Sequence, residues 1–335
     1  MSCGAASLIA DVGATNARFA LFDGESGFHR VRVLSCKDYT SIEQAIGTYL
    51  EDVPHSADLG RVSAAALAVA GPVADDQVTL TNHPWSFSKY ELRRHLAIDR
   101  LLVVNDFTAV AAATPYLTSA ECVQVGGGAP LAAAPIGVIG PGSGLGVGGL
   151  IPTAGGWLPL SGEGGHVTMT PRTKRESDVL DRLREHLDHV SAERILSGPG
   201  LVSLYKTLAE MAGAPVASCT SAQITDAAIG ERDPLCREAV EMFCAMLGTI
   251  AGNLALTLGA LGGIYIAGGI VPKLGTVFAA SGFRKRFEDK GRLRPYLARI
   301  PTYVVTHPFP AFLGLSKLLA DLPQTADQST GMQNA

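Results

Sequence analysis

Asp11, Gly13, Ala14, Thr15 and Asn16 share one short turn. An apolar run, Leu8-Ile9-Ala10, leads into it, and a second, Phe19 to Phe22, follows it. A turn between two strands presents successive backbone N–H groups, and such nests bind anions. Gly13 permits positive φ and close backbone approach, while Thr15 and Asn16 add neutral donors. A carboxylate at Asp11 repels a bare phosphate. A divalent cation between them removes the conflict, because magnesium joins carboxylates, waters and phosphates. The turn fits a magnesium–nucleotide site, and it also fits an ordinary hairpin.

The stretch Ile139 to Leu150, IGPGSGLGVGGL, is a second glycine loop. Gly140, Gly142, Gly144 and Gly146 alternate, with Ser143 as the one hydroxyl. Each glycine costs about 0.5–1 kcal/mol relative to alanine in regular structure, so backbone approach to a ligand is the expected reason for them. Gly144-x-Gly146-x-x-Gly149 has the spacing of a dinucleotide fingerprint. Pro152 and Gly155-Gly156 follow where that fingerprint needs a helix, which disfavours the dinucleotide reading. An NAD-dependent oxidoreductase stays a rival that an absorbance scan with cofactor would exclude. Gly268-Gly269, after the strand-like Ile264 to Ala267, is a third pair. A flat group such as an adenosine fits there, as does a plain strand-to-helix turn.

Asn105-Asp106 ends a buried apolar run, Leu101 to Val104. A rigid, poorly solvated carboxylate at Asp106 suits a general base for a hydroxyl, and it equally suits a cap on the next helix. Glu163 and His166 share the glycine-rich turn SGEGGHV, and together they suit vicinal hydroxyls, which donate and accept at once. No HExxH or third ligand favours a metal there. Glu193 precedes a Ser-Gly-Pro-Gly break at Ser197–Gly200 and, alone, reads as a solvated helical residue. His83, His95, His186 and His189 read as surface residues. Neither a GxSxG elbow nor a GxxxxGK[ST] loop is present.

The elements that must hold these groups follow from the patterning. The first turn reads as a hairpin, with Val31 to Leu34 as a third strand. Ser41 caps a helix to Leu50. Ala64 to Ala70 is a buried strand closed by Gly71-Pro72, and Thr108 to Ala113 is helical. Ile136–Ile139 and Val147–Ile151 flank the second glycine loop, so strand, glycine turn, strand occurs twice and hints at duplication. Ser177 to Gly213 is helical with the break noted, and Asp233-Pro234 opens a long helix to about Leu258, ended by Gly262-Gly263. The 335 residues suggest two domains of mixed α/β class. With 47% hydrophobic and 17% charged residues a large core forms, and a net charge of −4 gives no general pull toward nucleic acid. Six cysteines without a CxxC read as reduced thiols in a cytoplasmic protein. No signal peptide is read at the N-terminus, and the apolar run around Ile250 to Ile270 is too interrupted for a membrane span.

Taken together, the motifs resemble those of the bacterial glucokinases, of the hexokinase–actin ATPase superfamily. The family's DxGGTNxR loop appears as Asp11 to Arg18. LTNHPWSFS, NDFTAV, GEGGH, ERILSGPGLVSLY, GNLAL, GGIYIAGGIVPK and SGFRKRFEDKGR match family usage from about Leu8 to Leu319. Ala14 stands where the family usually has glycine, and Pro141 removes one N–H from the second loop. The cysteine-rich zinc motif of the related ROK kinases is missing, which places the chain with the non-ROK glucokinases.

The resemblance implies a two-domain actin-like ATPase (ribonuclease H-like) fold, with duplicated mixed sheets around a central cleft. Its small domain would be residues 1–115, rejoined by 308–322. Its large domain would be 116–307, with a disordered tail at 323–335. It also implies that Asn82, Asn105, Asp106, Glu163, His166 and Glu193 hold glucose, and that Asp106 is the general base. Ala10 to Asn16, Gly140, Gly142, Ser143, Gly144, Gly268 and Gly269 would hold ATP, with Asp11 serving Mg2+ directly or through water. A homodimer and no nucleic-acid or membrane partner are implied. Two alternatives on the same fold are a kinase for another hexose and a sugar-sensing regulator. The regulator would need an added DNA-binding helical segment, for which the first strand at Leu8 leaves no room.

Overall fold

The computed structural model describes residues 6–24, 27–52, 62–216 and 218–322. The expected tail at 323–335 lies outside the described residues, as does Cys3. The chain divides into two compact units, residues 1–115 with 309–335, and residues 116–308.

The first unit is built on a five-stranded sheet. Its elements are β1 (Ser7–Val12), β2 (Asn16–Phe22), β3 (Phe28–Ser35), α1 (Ile42–Glu51), β4 (Ala64–Val69), β5 (Gln77–Thr79), β6 (Ser86–Ser88), α2 (Lys89–His95), β7 (Arg100–Asn105) and α3 (Asp106–Ala113). The sheet order is β3-β2-β1-β4-β7, and β5 and β6 form a separate ribbon. β1, β2 and β3 pair antiparallel, whereas β1, β4 and β7 run parallel. β4 is AAALAV with every residue buried, as a parallel central strand requires. Ser41 caps α1 as expected, accepting from the Gln44 N–H at 3.3 Å.

The second unit repeats that plan. Its elements are β8 (Cys122–Gln124), β9 (Ile136–Pro141), β10 (Leu145–Thr153), β11 (Gly156–Gly162), α4 (Lys174–Arg184), α5 (Gly198–Met211), α6 (Ser221–Ile229), α7 (Pro234–Leu258), β12 (Gly263–Ile266), α8 (Val271–Leu274), α9 (Thr276–Ala280), α10 (Phe283–Glu288), α11 (Arg294–Ala298) and β13 (Thr302–Val305). The sheet order is β11-β10-β9-β12-β13-β8. β9, β10 and β11 are an antiparallel meander, and β9, β12 and β13 run parallel. Each sheet thus begins with three antiparallel strands and continues from the first of them into two parallel ones. The hint of duplication in the sequence is a duplication of topology.

Several details differ from the sequence reading. The Ser-Gly-Pro-Gly stretch is the start of α5 rather than a break within a helix. Ser197 is its N-cap, accepting from the Gly200 N–H at 3.0 Å, and Pro199 lies in its first turn. α7 stops before Gly262-Gly263, because Gly259 takes the left-handed conformation at φ 61°. At 25 residues, with a mean hydropathy of 1.5 over its most apolar 18-residue stretch, α7 is long and apolar enough to cross a membrane, but 67% of that stretch is buried. It is a core helix. Gly248 and Gly252 let α10 approach it backbone to backbone, since Cβ atoms there would lie 2.3 Å from the Phe283 carbonyl oxygen and 2.6 Å from that of Phe287.

The first unit is completed from beyond the second. α12 (Pro310–Ala320) packs on α3, and a Cβ at Gly314 would lie 1.8 Å from the Ala109 carbonyl oxygen. There α3 presents only methyl side chains and Gly314 presents none, so the two helices meet backbone to backbone.

One buried ion pair stitches the second unit. Glu176, 3% exposed, is N3 of α4 in a capping box with Thr173. Its carboxylate accepts from Arg286 of α10 at 2.7 Å and 3.2 Å and from the Arg172 N–H at 2.6 Å. Burial alone would raise its pKa. The hydrogen bonds and charge of Arg286, with the two backbone donors, outweigh burial and hold it below the ordinary 4.5. A depressed carboxyl pKa contributes stability above the unfolded value and loses it as pH falls through the folded value. Glu176→Ala should therefore cost about 3–5 kcal/mol near neutral pH. Urea midpoints measured at stepped pH should show the wild-type advantage shrinking below the ordinary carboxylate range.

Candidate active site

Parallel pairing sets the geometry of the first unit's site. Val12 of β1 pairs with Val69 of β4, which pairs with Asn105 of β7. Those three residues form one row, and the chain leaves the sheet at its end three times within about 10 Å, two strand spacings. The exits are the turn after Val12, the Gly71-Pro72 turn, and the start of α3.

In the first of these the Gly13 N–H donates to the Asn16 carbonyl at 3.0 Å, and the Cys36 N–H donates to the Thr15 carbonyl at 2.9 Å. Among the described residues nothing accepts from the Ala14 or Thr15 N–H, so two adjacent amides are available to an anion. Gly13 does not use its conformational freedom. Its φ is outside the left-handed region, and a Cβ there would meet only the Asn16 carbonyl, at 3.5 Å. Ala14 likewise has no positive φ, so its methyl group imposes no backbone strain.

Asp11 lies in β1 directly opposite Arg18 of β2, and the guanidinium donates to its carboxylate at 2.9 Å. Burial pushes the Asp11 carboxyl above its ordinary 3.8, and Arg18 opposes that shift by charge and hydrogen bond. Among the described residues no cluster of three acidic, His or Cys side chains is placed to hold a metal by itself. A lone carboxylate beside open amides fits magnesium that arrives with a nucleotide, because that ion keeps several waters and takes one or two carboxylates plus phosphates. Arg18 had no role assigned from the sequence. The hairpin register was its signal, since it places residue 18 across from residue 11.

At the third exit the capping residue is Asn105, not Asp106. The Asn105 Oδ1 accepts from the Phe107 and Thr108 N–H groups at 2.9 Å and 3.3 Å, and its Nδ2 donates to the Gly71 carbonyl at 3.2 Å. Asp106 is the first residue of α3 and half-buried. There its carboxylate accepts from the Phe107 N–H at 2.9 Å. Asn82 is exposed in the turn between β5 and β6, one residue beyond Thr81, whose N–H donates to the Ala70 carbonyl at 3.0 Å. The turn carrying Asn82 is thus tied to the β4 exit, and that exit to Asn105.

The second unit repeats the arrangement with more glycine. Ile139 of β9 pairs with Ile266 of β12, so the Pro141–Leu145 hairpin and Gly268-Gly269 leave the sheet side by side. Gly268 has φ 83°, and a Cβ on it would lie 2.3 Å from the Pro141 carbonyl oxygen. Only glycine meets both conditions. Pro141 ends β9 opposite Leu145, and Ser143 is exposed at the tip of the hairpin. Gly140 and Gly146 pair within the two strands rather than in the tip.

Glu163 and His166 project from one short turn, 3.9 Å apart and about half exposed. Glu193 does not sit in a helix. It lies in a turn, half-buried, and its Oε2 accepts from the Leu145 N–H at 2.8 Å. Its own N–H donates to the Gly165 carbonyl at 2.9 Å, within the Glu163–His166 turn. His95, His186 and His189 are exposed, while His83 is half-buried with its ring edge-on to Trp85.

Two sheets that share a five-strand topology, the second with β8 added antiparallel at its edge, each with tight turns where its parallel strands end, define an actin-like ATPase fold of the sugar-kinase class. A crystal structure of a glucokinase from an Antarctic psychrotroph superposes with a TM-score of 0.81, at 37% identity over 95% of this chain and 99% of that one. The Glucokinase family model matches residues 8–322, and the chain belongs to that family. The Glucokinase of Paramagnetospirillum magneticum is 50% identical over 315 residues, 94% of this chain and 97% of its own length. The Bifunctional protein glk of Paraburkholderia xenovorans is 50% identical over 329 residues, 98% of this chain but 50% of its own length. The chain spans about half the length of several of the curated relatives it matches.

The Asn105 cap makes a direct prediction. Asn105→Ala should lower stability by about 0.5–2 kcal/mol, and Asn105→Asp, which keeps the capping oxygen but loses the donor to the Gly71 carbonyl, should recover only part of that loss. Urea denaturation of the three proteins reads the difference.

Proposed function

We propose that this protein is an ATP-dependent glucokinase, transferring the γ-phosphoryl group of ATP to the 6-hydroxyl of glucose. The observation that carries the proposal is the family match across residues 8–322. The O6–P bond forms, the bond between the γ-phosphorus and the bridging oxygen breaks, and the hydroxyl proton passes to Asp106. The products are glucose 6-phosphate and ADP. Phosphoryl transfer needs placement and charge neutralisation more than covalent help, and the two units supply groups suited to each.

In this reading Asn82, Asn105, Asp106, Glu163, His166 and Glu193 bind the sugar. Asp106 is supported as base by its place in the first turn of α3, because Asn105 has taken over the cap. Asn105 acts with its remaining N–H, its other polar contacts being spent on the fold. Ala10 to Asn16, the hairpin of Gly140, Gly142, Ser143 and Gly144, and Gly268-Gly269 hold the nucleotide. Bound magnesium, on Asp11 or its water, would neutralise charge on the phosphate oxygens. The protein's own part is to aim Asp11, through Arg18, and the open amides of Ala14 and Thr15. A cytoplasmic homodimer completes the proposal, and the described cysteines are free thiols.

Purified protein with magnesium and ATP should release ADP only when glucose is added. Release with a different hexose instead, or with none, would overturn the glucose assignment. Asp106→Ala should lower kcat by about 10²–10⁴ with a smaller effect on glucose binding. Glu163→Gln should first raise KM for glucose. Unchanged turnover in the Asp106 variant would sink its role as base.

A further inference from the structure

Glu193 stands where two parts of the second unit are joined. Its backbone N–H holds the Gly165 carbonyl, inside the turn that carries Glu163 and His166. Its carboxylate holds the Leu145 N–H, the first donor after the glycine hairpin, at 2.8 Å. A Cβ on Gly144 would lie 2.5 Å from Glu193 Oε2, so a side chain there would push the carboxylate from its place. The same segment grips the hairpin a second time, since the Gly198 N–H donates to the Gly142 carbonyl at 2.8 Å. Ser197 closes the arrangement by donating its hydroxyl to the Glu193 carbonyl at 2.7 Å.

We infer that Glu193 is a positioning residue for the phosphate-binding hairpin as well as a sugar contact, and that it couples the two substrates. The inference rests on the glucokinase reading. One oxygen of the carboxylate fixes the position of Leu145, and with it the Ser143 and Gly144 amides, from which nothing among the described residues accepts. A sugar hydroxyl that bonds to the same carboxylate restrains its rotation and so restrains the hairpin. A nucleotide then meets a loop already ordered, and binding of either substrate favours the other by the same factor. A residue that only touched sugar would leave nucleotide binding untouched when no sugar is present.

The test is calorimetric titration with a non-hydrolysable ATP analogue and magnesium, with and without glucose. For wild-type protein, glucose should tighten the analogue by a factor in the range of about 5–150. Glu193→Ala should weaken the analogue about tenfold in the absence of sugar, the size of one lost charge-assisted hydrogen bond. It should also remove the glucose effect. Glu193→Gln keeps an acceptor for Leu145 and should restore sugar-free binding. Should Glu193→Ala fail to fold, Glu193→Asp serves in its place. Its carboxylate is one methylene short of the Leu145 N–H, and it should give the same sugar-free loss. Sugar-free affinity equal to wild type in the variant that folds, with only glucose binding reduced, would overturn the inference. Wild-type protein that releases no ADP with glucose would instead defeat the reading on which it rests.

Discussion

The parallel pairing of strands is the constraint on which the site depends. A parallel neighbour must be entered from the same end as its partner, so the strands also finish together. In the first sheet β1, β4 and β7 finish at Val12, Val69 and Asn105, one row. In the second, β9 and β12 finish at neighbouring positions through Ile139 and Ile266. Groups separated by almost 100 residues of chain, such as Asp11 and Asp106, therefore leave one sheet at one edge. Ligands of open α/β sheets collect at the carboxyl ends of strands for this reason.

What could be read from the sequence was local. The two glycine hairpins, the buried run of β4, the Ser41 cap and the Asp233-Pro234 helix start each depend on neighbours within a few residues, and each is where patterning put it. β11 was not foreseen. Its GWLPLSG carries a proline and alternates only weakly, which an edge strand tolerates and a central one does not. β8 and β13 are three and four residues long, too short for a period to show. The sequence reading weighed Asp106 as a cap and did not consider Asn105, which is the N-cap of α3. The choice between them fell to Gly71, 34 residues away from Asn105, whose carbonyl accepts from the Asn105 amide.

The glycines show the same division between local and distant causes. Sequence reasoning assigned the glycines of the loops to ligand approach. Yet many of the close approaches are to the protein itself. Gly144 makes way for the Glu193 carboxylate, Gly268 for the Pro141 carbonyl, Gly248 and Gly252 for α10, and Gly314 for α3. A loop that must present bare backbone to an anion has no side chains with which to brace itself. The bracing comes from neighbouring backbone and one carboxylate, and those neighbours need glycine at the contact.

The position of α12 has a consequence for how the protein is made. The first unit takes its last helix from residues 310–320, after the whole second unit has been specified. While the chain emerges from a ribosome, the second unit can complete its core before the first, although it lies later in the sequence. Until α12 arrives, the alanine face of α3 around Ala109 and Ala113 has no cover. The unit that carries Asp11 and Asp106 is thus the last to become whole, and a chain cut short before Pro310 would keep those residues on a sheet whose helical layer is incomplete.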